Sequence, residues 1–145
     1  MTTNRESIAS ENPTLQAEIR DLCLVAAGAI PGALLRWRLE QLWQQSHLGL
    51  AGFNPATMLV NLLGCLMIGI IMKCHPSRPK LTLVLGVGFC GSLTTFSAWI
   101  LQLNQAIAEG QILVVSTTLW GNLLGGLGAV ALGFWLGKHW RRIKH

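Results

Sequence analysis

Residues 88–99 read Gly-Phe-Cys-Gly-Ser-Leu-Thr-Thr-Phe-Ser-Ala-Trp, a polar, glycine-punctuated run inside a stretch, 81–108, that carries no charged side chain. Such a stretch is long enough to cross a bilayer, since a membrane helix needs about 20 apolar residues. In hydrocarbon every backbone N–H and C=O requires a partner, so a Gly-x-x-Gly-x-x-Thr-Thr patch at mid-span indicates backbone that lines a cavity or an ion site. The run therefore predicts an interrupted membrane helix and a role in transport.

The rest of the chain has the composition of a membrane protein. It is 51% hydrophobic and 12% charged, with a mean hydropathy of +0.46. The charged residues fall in clusters, and the intervals between them predict four transmembrane helices, the third interrupted mid-span. The predicted spans cover about 21–38, 53–73, 81–108 and 111–137. We therefore predict an all-α membrane protein in which a polar N-terminal tail (1–20) and a basic C-terminal tail (141–145) flank a channel domain (21–140).

Small residues recur at four-residue spacing in two of these spans. The pairs are Gly28 with Gly32, Gly121 with Gly125, and Gly133 with Gly137. Spacing of this kind lets helix backbones approach closely, either within one subunit or between subunits. Because four short helices fill their own centre with side chains, a pore in such a chain also implies an oligomer.

Three patches, each on its own predicted span, resemble the Fluc (CrcB) family of fluoride channels. They are Gly-Ala-Ile-Pro-Gly-Ala-Leu-Leu-Arg-Trp at 28–37, Thr-Met-Leu-Val-Asn-Leu-Leu-Gly at 57–64, and the run 88–99. The resemblance covers essentially the whole chain after residue 21. It implies a passive channel of the plasma (inner) membrane that exports fluoride from the cytoplasm. It also implies an antiparallel, dual-topology dimer with two ion pathways and a structural sodium ion (Na+) at the dimer interface.

Thr57 and Asn61 lie four residues apart and therefore share one face of the second predicted helix. Fluoride is a compact and strongly hydrated anion, so a pore that strips its water must supply donors such as the Asn61 amide and the Thr57 hydroxyl. The alternative is that both residues form interhelical hydrogen bonds, which are worth about 0.6 kcal/mol on average in membranes. The resemblance favours the pore.

Phe96 and Trp99 share a face of the helix that follows the polar run. Aromatic rings have an electropositive edge that can meet a desolvated anion, and weak, multiple sites permit conduction. In the family both positions are typically phenylalanine, so Trp99 is a departure: its indole adds an N–H donor and bulk. The alternative for Trp99 is a core or interfacial aromatic.

By the same resemblance, Gly91 and Thr94 match the family's sodium site, where backbone carbonyls coordinate the ion. The alternative is a simple kink in which threonine hydroxyls form hydrogen bonds to the backbone of the same helix. Further pathway candidates are Ser97, Thr118 and Asn122, the last two standing where the family usually has a tyrosine and a serine. Arg36 has a family counterpart; it is expected to attract anions to a vestibule or to hold structure through Glu40, one turn on.

Basic residues are distributed unevenly for an antiparallel homodimer. Of the 11 Lys and Arg residues, Arg36 and Arg38 alone fall on the side opposite to the termini, which places both termini in the cytoplasm. Either an oppositely oriented homologous chain completes a heterodimer, or local features override this bias and a homodimer forms. The predicted partners are thus fluoride, membrane lipid and a second chain, with no nucleic acid.

Two other classes of protein fit the four spans. A small multidrug or cation exporter needs a carboxylate within a span for proton coupling, and every Asp and Glu here lies at a span end or in a loop. A non-transporting membrane scaffold gives no reason for the polar run. Enzymatic activity is not expected, because the four histidines have no paired acid or nucleophile near them in the sequence.

Overall fold

The computed structural model describes residues 13–45 and 55–143, and all regular structure within these ranges is helical. We number the helices α1 (Pro13–Gln45), α2 (Pro55–Cys74), α3 (79–93), α4 (Ser97–Ala108) and α5 (Ile112–Ile143). Helices α3 and α4 join into one candidate membrane span, Pro79–Ala108. With α1, α2 and α5 they give four helical segments in the described ranges that are long and apolar enough to cross a bilayer. The predicted all-α class with four spans is therefore confirmed.

The outer helices are longer than the spans predicted from hydropathy. Helix α1 begins at Pro13 instead of residue 21, and proline is well suited to a first helical position because its N–H would have no helical partner. The following Thr-Leu-Gln-Ala-Glu segment contains good helix formers, so the helix starts before the apolar stretch does. At the other end α5 continues to Ile143, past the predicted limit of 137. Residues 1–12, 46–54 and 144–145 lie outside the described part of the chain.

The third span is a bent helix made of joined pieces. It starts as an α-helix at Pro79–Leu81, becomes a π-helix over Thr82–Cys90 and returns to α-helix at Gly91–Leu93. Thr94 then adopts an extended conformation, with φ −75° and ψ 151°. Helical structure resumes at Ser97. The bend falls inside the polar run 88–99.

Glycines bring the backbones of neighbouring helices into contact within this chain. A methyl group at Gly28 would overlap the Val84 carbonyl and lie 2.9 Å from the backbone nitrogen of Phe89. Likewise, a methyl group at Gly133 would lie 3.1 Å from the Cα of Gly69. Helix α1 is thus pressed against α3, and α2 against α5. The sequence left open whether these small residues pack helices within one subunit or between subunits, and the structure shows packing within one chain.

The turn between α4 and α5 depends on Gly110, whose φ of +68° lies in the left-handed region. The N–H of Gln111 donates to the Ala106 carbonyl at 2.9 Å, and that of Glu109 donates to the Gln105 carbonyl at 3.0 Å. This pattern closes the end of α4 as glycine C-caps do. It turns the chain back so that α5 can pack along α2.

Candidate ion pathway at the bend of the third span

The bend opens onto a groove of about 410 Å³ between α2, the α3–α4 junction and α5. Polar and aromatic side chains meet here inside an otherwise apolar bundle. The groove is lined by Asn61, Cys65, Thr94, Thr95, Phe96, Trp99, Asn122, Leu123, Gly126, Leu127 and Val130. Five predicted pathway or metal residues therefore line the same groove: Asn61, Thr94, Phe96, Trp99 and Asn122.

Asn61 holds the bend from helix α2. Its Oδ1 accepts a hydrogen bond from the Thr95 backbone N–H at 2.8 Å, and its Nδ2 donates to the Thr95 carbonyl at 3.1 Å. The same Nδ2 donates to Oδ1 of Asn122 at 2.9 Å. The bend removes Thr95 from the regular helical ladder, and in hydrocarbon its backbone groups need other partners. Asn61 supplies both of them and ties α2 to α5.

Thr57 lies one turn away from Asn61 but is not part of the groove. Its side chain is 1% exposed, and its hydroxyl accepts a hydrogen bond from Nε2 of Gln102 at 2.7 Å. Thr57 and Asn61, which the sequence places on one face of α2, therefore have different surroundings. Asn61 faces the groove, whereas Thr57 is buried against α4.

Two α5 residues, Thr118 and Asn122, continue the polar contacts. Nδ2 of Asn122 donates to the Thr118 carbonyl at 2.9 Å, while its Oδ1 receives the Asn61 amide. Thr118 is 1% exposed, and within the described residues its Oγ1 has no hydrogen-bond partner. Asn122 therefore lines the groove, and Thr118 lies behind it.

Phe96 and Trp99 meet edge to face, with ring centroids 5.1 Å apart and an interplanar angle of 72°. Phe96 is 70% exposed, so most of its ring is open to the groove and to the outer surface of the chain. The indole Nε1 of Trp99 donates to the Thr118 carbonyl at 3.0 Å. The extra donor that tryptophan brings is thus engaged with α5.

Thr94 and Gly91 flank the point at which α3 ends. The Thr94 hydroxyl donates to the carbonyls of Cys90 at 3.0 Å and Gly91 at 3.3 Å, which is the bonding expected of a simple kink. Gly91 is exposed, and no atom would lie within 4 Å of a methyl group placed there. Ser97 is exposed just beyond the bend, with its Oγ 3.4 Å from that of Thr95.

Arg36 of α1 contacts the end of α3 from the other side. Its Nε donates to the Ser92 carbonyl at 3.3 Å, and its Nη1 lies 3.6 Å from Oε1 of Glu40. Both side chains are partly buried. The pairing with Glu40 is the one expected from their spacing. The vestibule role of Arg36 stays a prediction.

Sequence reasoning missed two residues that the structure places at the site. Thr95 provides the backbone groups that Asn61 binds, and Gln102 covers Thr57. Gln102 had a usable signal: it is a polar residue inside an uncharged span, three positions after Trp99, and so lies on the same face of α4. The signal for Thr95 was its position in the polar run beside Thr94.

Comparison with known proteins identifies the family of the chain. The family model described as "CrcB-like protein, Camphor Resistance (CrcB)" matches residues 23–134, which include all four helical spans in whole or in large part. The chain belongs to the CrcB family. A relative from Synechococcus sp. strain CC9902, named "Fluoride-specific ion channel FluC 2", is 46% identical over 132 residues, 90% of each chain.

More distant relatives of this CrcB chain carry the same name. "Fluoride-specific ion channel FluC" from Prosthecochloris aestuarii is 35% identical over 130 residues, covering 87% of this chain and 99% of the relative. "Fluoride-specific ion channel FluC 1" from Prochlorococcus marinus strain SARG is 31% identical over 128 residues, 88% of each chain. Proteins of the CrcB family are ion channels and not enzymes.

Proposed function

We propose that this chain is a fluoride-selective passive channel that lowers the intracellular fluoride concentration. The observation that carries the proposal is the convergence of Asn61, Phe96 and the bent third span on one groove in a chain of the CrcB family. Relatives that align along most of their length are named fluoride-specific ion channels. No observation favours an exporter or a scaffold, and no carboxylate among the described residues lines the groove.

Asn61 is the donor we assign to the pathway. Its two amide N–H groups point to the Thr95 carbonyl and to Asn122. A dehydrated fluoride ion is a stronger acceptor than either, and charge-assisted hydrogen bonds are roughly twice as strong as neutral ones. Fluoride would therefore pass by replacing one of these acceptors for a moment, while the Thr95 N–H keeps the Asn61 side chain in place through Oδ1.

Phe96 and Trp99 supply ring edges along the same route. Because the Trp99 N–H is held by the Thr118 carbonyl, this tryptophan offers the ion no strong donor and resembles phenylalanine in its electrostatics. Contacts of this kind are weak, and weak contacts at several positions let an ion move on. We assign Thr57, Ser97 and Thr118 no direct contact with fluoride, and Asn122 the role of positioning Asn61.

The resemblance to the family implies a structural sodium ion, and the residues at the end of α3 fit one. Hard cations prefer oxygen ligands, and the groups available here are backbone carbonyls. The open space beside Gly91 leaves room for a ligand shell, and the extended conformation of Thr94 turns its carbonyl out of the helix. Sodium bound at Gly91 and Thr94 would supply a fixed positive charge at the centre of the assembly.

The groove is open on one side, with Phe96 largely exposed, and a second chain would complete it. We propose an antiparallel dimer in the inner membrane, built either from two copies or from this chain and a homologous chain of opposite orientation. The relatives include chains named FluC 1 and FluC 2, which supports a paired chain. The uneven distribution of basic residues favours the heterodimer.

Ion efflux from liposomes tests the function. Purified chain is reconstituted, and fluoride and chloride release are followed with ion-selective electrodes. We expect rapid fluoride efflux and no chloride efflux. If the chain alone releases no fluoride, the assay is repeated after co-reconstitution with the homologous chain of the same organism, because a heterodimer needs both chains. Equal release of both halides, or no release in either preparation, would remove the proposal.

A further inference from the structure

A second cavity, of about 290 Å³, lies at the end of the bundle where α2 and α5 both finish. Its lining residues are Lys73, Lys138, Arg141 and Arg142, and within the ranges 13–45 and 55–143 no carboxylate lines it. The three α5 residues are spaced i, i+3 and i+4 and therefore share one helix face, which meets the last turn of α2. Four cations around one space repel each other, so the arrangement calls for an anion.

A close contact between α2 and α5 lies beside this cavity, because Gly137 immediately precedes Lys138 and faces Lys73. A methyl group at Gly137 would lie 2.9 Å from the Cβ of Lys73 and 3.3 Å from the Sγ of Cys74. The Cys74 thiol also lies 3.7 Å from the Gly137 carbonyl. The backbones that carry Lys73 and the α5 cations are therefore packed closely together, which brings the four basic side chains to one place.

Aromatic residues place the cavity at the depth of lipid headgroups. Trp135 lies one turn before Lys138 and Trp140 two residues after it, and both are exposed. Trp135 stacks on His139, with ring centroids 5.9 Å apart. Tryptophan concentrates at the boundary between hydrocarbon and water, and basic pockets between membrane helices bind anionic headgroups. The phosphate of a lipid would sit among the cations while its chains lie along α5.

We propose that this cavity, which we call the basic pocket, binds the headgroup of an anionic phospholipid. The pocket explains part of the excess of basic residues on one side of the membrane, which the ion pathway does not use. The site does not depend on the proposed function: a chain that bound the lipid and passed no fluoride would contradict only the channel.

Native mass spectrometry of the purified chain tests the proposal, with phosphatidylglycerol and phosphatidylcholine as probes. The pocket variant combines Lys73→Gln and Arg141→Gln. The control variant combines Arg78→Gln and Lys80→Gln, two cations at the start of α3 that do not line the pocket. Each basic residue near an anionic surface contributes about fivefold to binding, so the pocket variant should bind phosphatidylglycerol roughly 30-fold more weakly. The control should match the unmodified chain.

Three outcomes would overturn the proposal. They are equal phosphatidylglycerol binding by the pocket and control variants, equally strong binding of phosphatidylcholine by the unmodified chain, and displacement of the lipid by an equimolar amount of inorganic phosphate. The last would mean that the pocket takes a soluble anion. A charge-conserving variant, Lys73→Arg with Arg141→Lys, should retain the lipid, which separates loss of charge from loss of fold.

Discussion

Replacing Asn61 with leucine is the sharpest test of the pathway, because the two side chains have similar size and only one can form hydrogen bonds. Three hydrogen bonds would be lost: two to the backbone of Thr95 and one to Asn122. At about 0.6 kcal/mol each, the average measured in membrane proteins, the loss of stability is about 2 kcal/mol. The helices should therefore still assemble in a bilayer.

The effect on flux should be larger than the effect on assembly. A hydrogen bond to a charged group is worth about 1.5–3 kcal/mol, so losing the Asn61 donors should slow fluoride efflux roughly 10- to 100-fold. The matched control is Cys65→Ala, one turn further along α2 and lining the same groove. It should conduct like the unmodified chain. The assay pairs fluoride-electrode efflux with size-exclusion chromatography of the same preparations. Near-normal efflux from Asn61→Leu, with assembly intact, would refute the role assigned to this residue.

Five other changes have defined outcomes. Gly110→Ala, at φ +68°, should lower the free energy of unfolding by about 1–2 kcal/mol; Gly128→Ala, in open space on α5, should raise it slightly, and the reverse order would be inconsistent with the turn described. Gly133→Ala should cost about 1–3 kcal/mol through overpacking against α2, and unchanged thermal unfolding would contradict that contact. Trp99→Phe should keep fluoride efflux, because the indole N–H is bonded to Thr118; lost efflux would show that this N–H serves the ion. Exchanging sodium for N-methylglucamine should weaken the proposed dimer in chromatography, and a dimer that is equally stable without sodium would argue against the proposed sodium site.

The four membrane-spanning helices could be predicted from the sequence, because the length of each apolar stretch is set by the thickness of the bilayer and not by how the helices pack. The run 88–99 also located the bend, since glycine and threonine at mid-span are costly unless the backbone there is used. Pairing of α1 with α3 and of α2 with α5 was not predictable from spacing alone. Gly28 and Gly133 indicate close contact without saying which helix is the neighbour.

Other details escaped the sequence for physical reasons. The π-helix over Thr82–Cys90 changes the number of residues per turn, so faces inferred from a 3.6-residue period lose their alignment there. The burial of Thr57 and the hydrogen bond of the Trp99 indole are set by what stands opposite them: Gln102 in one case and a backbone carbonyl in the other. The spacing within one span can mark a residue such as Gln102 as polar and inward-facing, but it does not show which residue of another helix lies opposite.

If fluoride passes Asn61 as proposed, the hydrogen bonds already made by its amide have a consequence for how the channel distinguishes halides. Both N–H groups are already committed to internal oxygen atoms, so a visiting ion must out-compete an amide carbonyl before it can be held. Fluoride is the most basic halide and can displace an amide carbonyl as the hydrogen-bond acceptor. Chloride is a weaker acceptor and cannot, even in a passage wide enough to admit it. The channel would then select fluoride over chloride by proton affinity as well as by pore width. Widening the pore would not by itself let chloride through.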